Sequence, residues 1–129
     1  MFERMIRVVL VGAVALTLAG ATPASAKAGD VIRRGSCSGA SDWKLKLSPD
    51  NGKIEVEYEV DSTKVGQTWK VRLFENGNRI FAGKRTTKGA SGSFTVRLLA
   101  ANTAGKDSFR ARATNVGTDE VSGGSASIG

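Results

Sequence analysis

Three observations predict an all-β domain arranged as one sandwich of about seven antiparallel strands. Apolar and polar residues alternate with period two through most of the chain beyond residue 42. Turn dipeptides and Gly- or Ser-rich stretches interrupt that alternation about every ten residues. No segment of ten or more residues beyond the N-terminal stretch carries a helical 3.6-residue period.

The N-terminal stretch is of a different kind. Arg4 and Arg7 precede an apolar run from Val8 to Ala21, and Ala24-Ser25-Ala26 has the small-x-small pattern that signal peptidase reads. The run is 14 residues long, short of the about 20 that cross a bilayer. Ala21 stands where a lipid anchor would need a cysteine just after Leu18-Ala19-Gly20. Residues 1–26 therefore read as a secretory signal peptide, 27–41 as a flexible leader and 42–129 as the β-sandwich domain. The expected location is secreted and extracellular, with no membrane span after cleavage at Ala26. Removing 26 of 129 residues leaves 103, the size of one domain with one core.

In the leader only Val31 and Ile32 are strongly apolar, so a short edge strand is expected at Val31 to Arg34 at most. Cys37 is the single cysteine of the chain. In an oxidising compartment disulfides come in pairs, so Cys37 reads as a free thiol, with an intermolecular disulfide as the alternative.

Strands follow in order. Over 43–48, Trp43, Leu45 and Leu47 share a face with Lys44 and Lys46 opposite. Ser48-Pro49-Asp50-Asn51-Gly52-Lys53 then suits a four-residue hairpin loop, with Pro49 fixing φ and Gly52 closing the turn. Over 53–60, Ile54, Val56, Tyr58 and Val60 point inward and Glu55, Glu57 and Glu59 outward. That loop sets Leu47 opposite Ile54, Lys46 opposite Glu55 and Lys44 opposite Glu57, so glutamates of this strand already have lysine partners in the ladder and the three are not read as a metal site.

The clearest local signal is Gln67 to Arg85, where two strands, 68–75 and 78–86, flank Asn76-Gly77, a dipeptide made for the positive φ angles of a two-residue type I′ turn. Pairing across it sets Leu73 against Ile80 and Val71 against Ala82 on the core face. Phe74, Arg79, Arg72 and Phe81 share the other. Further strands are expected at 92–99 (Phe94, Val96 and Leu98 inward), 107–115 (Phe109, Ala111 and Ala113 inward) and 121–128.

This number and spacing of strands describe an immunoglobulin- or fibronectin type III-like sandwich, with a small barrel or jelly roll as the alternative. Strands 43–48, 53–60 and 92–99 form one sheet, and 68–75, 78–86, 107–115 and 121–128 the other. The expected core holds Trp43, Leu45, Leu47, Val56, Tyr58, Trp69, Val71, Leu73, Phe94, Val96, Leu98, Phe109, Ala111 and Ile128.

The segments VIRRGSCSG, DWKLKLSPDNGKIEVEYEVDS, the WKV strand with its NG turn, and GSFTVR, following a signal peptide, make the chain resemble small secreted actinobacterial proteins with an immunoglobulin-like β-sandwich. The resemblance covers nearly all of the mature chain. It implies the compartment and the fold and brings no activity and no catalytic residues. It also implies a tether from the GSC segment to a second cysteine in the last strand, a neighbourhood in which this chain has Ser122.

The chemistry on offer is limited. There is no histidine, no glycine-rich phosphate loop and no nucleophile elbow, so no catalytic residue, metal ligand or cofactor is assigned and the protein is not read as an enzyme. Charge is the remaining signal. Subtracting Arg4, Arg7 and Glu3 from 19 basic and 12 acidic residues leaves 17 and 11, a mature charge of +6. On the first sheet's outer face Lys44, Lys46 and Arg97 balance Glu55, Glu57 and Glu59. The second sheet's outer face is expected to gather Lys70, Arg72, Arg79, Arg85, Arg110 and Arg112, interleaved with Phe74 and Phe81. Arginine forks beside exposed rings suit phosphate or carboxylate. Two functions fit. One is a non-catalytic module that engages anionic extracellular polymer, such as wall teichoic acid, acidic polysaccharide or nucleic acid. The other is a protein-interaction domain, an inhibitor or assembly subunit, that uses end loops or an edge strand.

Overall fold

A computed structural model describes residues 26–129; the signal-peptide reading of residues 1–25 lies outside them. Eight strands run β1 (Val31–Ser36), β2 (Asp42–Asp50), β3 (Lys53–Asp61), β4 (Thr68–Glu75), β5 (Asn78–Thr86), β6 (Ser93–Ala101), β7 (Asp107–Asn115) and β8 (Val121–Ile128). They form two antiparallel four-stranded sheets, ordered β1-β2-β3-β6 and β5-β4-β7-β8. This is the expected immunoglobulin-like sandwich, with each predicted strand in its predicted sheet. The eighth strand is β1, which adds residues of the leader outside β2 and pairs Val31 with Leu47 through Ser36 with Asp42.

The alternation fills the space between the sheets. Leu45, Leu47, Val56, Tyr58 and Val60 come from the first sheet and Trp69, Val71, Leu73, Phe109 and Ala111 from the second, all nearly inaccessible. Phe94 ties the two layers together. Its ring lies 6.4 Å edge-on from Tyr58 in its own sheet and 6.1 Å from Trp69 across the gap, and such ring pairs add about 0.5–1.5 kcal/mol beyond burial. Three expected core residues, Trp43, Leu98 and Ile128, are only partly buried. Trp43 lies at the seam where β8 meets β1 and β2: a Cβ on Gly124 would stand 2.1 Å from its ring and one on Gly35 2.7 Å, so only glycine fits on either side.

Two local expectations are corrected. The β2–β3 connection is a two-residue turn at Asn51-Gly52, with φ angles of 46° and 81°, and not a four-residue loop. Leu47 therefore faces Val56, Lys46 faces Glu57 and Lys44 faces Glu59, a slip of two residues that leaves every side chain on its predicted face. Pro49 pairs with Ile54 inside the strand. A proline is tolerated there because β1 pairs no further than Leu47, so the missing N–H points at no neighbouring strand.

The second correction falls in β4–β5. The type I′ turn at Asn76-Gly77 forms as predicted, with φ angles of 49° and 86°, and Phe74 faces Arg79. The register then shifts by one, so that Leu73 opposes Phe81, Arg72 opposes Ala82 and Val71 opposes Gly83. Ile80 is the extra residue of a β-bulge. The flat register would have sent Phe81 outside, whereas the bulge packs both Ile80 and Phe81 against the core, and that burial favours it.

Candidate anion-binding face

Directly opposed residues share a face of a sheet, and on the outside of the second sheet they make three rows. Lys84, Lys70, Thr114 and Val121 form the first. Ala82, Arg72, Arg112 and Gly123 form the second, and Arg79, Phe74, Arg110 and Ser125 the third. The six cations, Lys70, Arg72, Arg79, Lys84, Arg110 and Arg112, are all exposed, and none of the three rows contains an acid. Among the described residues no ion pair reaches any of them. Arg72 and Arg112 stand directly opposite one another, a like-charge contact that is destabilising and that a bound anion would relieve. The Arg110 guanidinium lies 4.2 Å from the centre of the half-buried Phe74 ring, which holds it against the sheet.

Phe81 and Arg85, which the flat register assigned to this face, belong to the other side. The bulge turns Phe81 toward Leu73 and Arg85 toward buried Trp69. The Arg85 guanidinium covers the Phe81 ring at 5.0 Å and closes the core at the sheet edge. Lys84 takes Arg85's place outside, so the charge of the face is unchanged. The Lys84-Arg85 dipeptide contained this information, since one of the two must face out; the bulge decides which.

Three other groupings were not legible in the sequence. At the seam, the Tyr58 hydroxyl hydrogen-bonds Ser122, and the Cys37 thiol lies beside that hydroxyl. Burial pushes the thiol up, with Glu120 and Asp42 adding to it, which keeps Cys37 protonated and a poor nucleophile. At the far end, buried Glu75 and Asp107 adjoin. Asp107 accepts from the Thr103 hydroxyl and amide and from the Asn76 amide. Those bonds, the Thr103 hydroxyl foremost, hold its carboxyl below the usual range despite burial. Burial and the neighbouring Asp107 push Glu75 up. The enclosed Oε2 of Glu75 has no hydrogen-bond partner among the described residues, which favours the neutral carboxyl over the charged one.

The third grouping is at the opposite pole, where Glu120 accepts from the Gly39 and Ser41 amides and the Ser41 hydroxyl. It fastens the loop before β2 to the loop before β8 beside an open hollow of about 340 Å³ that Ser62, Lys64 and Gln67 help to line. Among the described residues no three His, Cys, Asp or Glu side chains gather as metal ligands, and no helix is long and apolar enough to cross a membrane. No protein-family model matches the chain, and no curated protein matches it.

Proposed function

We propose that this protein is a secreted, non-catalytic binding module that engages anionic polymer outside the cell through the outer face of its second sheet. The observation that carries the reading is the set of six exposed cations with no ion-pair partner among the described residues, on a face whose rows hold no acid. An unopposed field of this kind attracts polyanions and binds them in a salt-dependent way. Retention tests it. The chain beginning at Lys27 should be held by a column of immobilised polyanion at low salt, elute as ionic strength rises, and pass through a neutral column; passage through both would refute the reading.

A second reading, a protein partner held by the end loops, has one observation in its favour. Val65 and Val116, 67% and 49% exposed, sit in two of the loops that surround the hollow beside Glu120. A stoichiometric partner recovered from culture supernatant, and lost with Val65→Asp, would support it over the first.

A further inference from the structure

The basic face is not flat. Beside Arg110 and Arg112 the last strand contributes Gly123 and Ser125, directly opposite the two arginines, and their small size leaves an open hollow of about 360 Å³ along β7 and β8. Toward the end of the sheet Ser108 and Ser127 continue it with a hydroxyl pair 3.1 Å apart. One wall is therefore cationic and the floor is small and hydroxylated.

The spacing of the wall selects a ligand. Arg110 and Arg112 are two residues apart on one strand, which sets them about 6.8 Å apart along it. Three backbone bonds advance about 3.8 Å in an extended chain, so a repeat of six bonds advances at most roughly 7.6 Å and somewhat less when relaxed. A phosphodiester linking three-carbon units has six bonds and one negative charge per repeat, so successive phosphates keep step with successive arginines along the strand. Single-stranded nucleic acid has the same backbone count, but its bases need exposed rings to stack on. Among the described residues Phe74 is the one aromatic side chain in the three rows of this face, and Arg110 lies on it.

We propose that the hollow beside Arg110 and Arg112 seats a linear polyol phosphodiester, a chain of the poly(glycerol phosphate) type, lying along β7 and β8 with successive phosphates on the two arginines. The assignment rests on the reading of this face as a polyanion site and adds the chemical class.

The test measures dissociation constants at one ionic strength for four probes matched in charge: poly(glycerol phosphate), oligo-dT, inorganic polyphosphate and polygalacturonate. The first should bind at least tenfold tighter than the others. Gly123→Ile fills the hollow without changing charge, at an exposed position where a Cβ meets nothing nearer than 3.5 Å, and a thermal melt checks that the variant is folded. It should weaken the first probe at least tenfold and the others less than twofold. Arg110→Gln with Arg112→Gln should lower the slope of log affinity against log salt by about 1.4, two contacts at about 0.7 each. Equal affinity for all four probes with no effect of Gly123→Ile would overturn the assignment and leave the polyanion face standing. Oligo-dT matching poly(glycerol phosphate), and equally sensitive to Gly123→Ile, would overturn it in favour of nucleic acid. Failure of every probe to bind would remove both readings.

Discussion

The two outer faces of this sandwich are made from the same kinds of residue on the same kind of scaffold, and they differ in what the charges meet. On the first sheet Lys44 lies 3.8 Å from both Glu57 and Glu59, Arg97 lies 3.4 Å from Glu55 and 3.2 Å from Glu57, and Lys46 lies 3.7 Å from buried Asp30. Each outward glutamate is answered by a cation. On the second sheet six cations have no acid between them, and two arginines face each other across a strand pair. The exposed pairs contribute only about 0–1 kcal/mol each, and the enclosed Lys46–Asp30 pair offsets its own desolvation, so the first arrangement is a modest aid to folding. The second works slightly against folding. An unopposed, solvated set of cations that works against folding is the feature on which the proposed polyanion binding rests.

Reversing charge on the second face should have the largest effect. Arg72→Glu with Arg112→Glu is expected to weaken polyanion binding about a hundredfold, near 2.7 kcal/mol, while stability moves by less than about 0.5 kcal/mol. Parallel titration and thermal melts check both, and retained affinity would show the face to be inert. Deleting Ile80 is the next step down. It removes the bulge residue yet keeps Leu73 opposite Phe81 and Arg72 opposite Ala82, so binding should persist while denaturant melts show a loss of about 1–2 kcal/mol from the missing side chain. Loss of binding in a folded deletion variant would contradict the register.

The mirror experiment on the first face is smaller still. Lys44→Glu with Arg97→Glu changes charge as much as the Arg72/Arg112 reversal, but it should cost only about 1 kcal/mol of stability and leave binding within twofold. The smallest effect concerns Glu75, whose carboxyl is raised above its ordinary 4.5. Its contribution is fully present below pH 4.5 and is lost as pH rises through its folded value. Asp107, lowered from 3.8, runs the other way: its contribution is present above 3.8 and lost as pH falls through its folded value. Glu75→Gln keeps a donor toward Asp107 and no longer titrates. The melting temperatures of variant and parent should coincide in acid and separate by a few degrees toward neutral pH, with the variant higher. A constant offset would show that Glu75 does not carry the proton.

The sequence yielded most where strands are regular. Alternation alone placed Lys70 and Arg72 on β4 and Arg110 and Arg112 on β7 correctly, because neither strand is interrupted within its pairing to the other. Beyond Ile80 it failed, since a bulge whose extra residue needs no positive φ leaves no glycine to announce it, and Phe81, Lys84 and Arg85 each changed sides. The Asn51-Gly52 turn was hidden by Pro49-Asp50, two residues that look like loop and sit in a strand. The carboxyl pair at Glu75 and Asp107 was beyond reach, because its members are 32 residues apart in the sequence and only the β4–β7 pairing joins them.

The glycine slot around Trp43 governs how this chain must assemble in time. The hairpins at Asn51-Gly52 and Asn76-Gly77 close over two residues, and such hairpins form on the order of microseconds. The seam needs Gly35, Trp43 and Gly124 to arrive together, so its contacts reach across most of the described chain and carry the large loop-closure cost that slows folding. Until β8 is laid down the indole has no second wall. A side chain at position 124 is therefore expected to obstruct the closing of β8 over that ring and to slow folding.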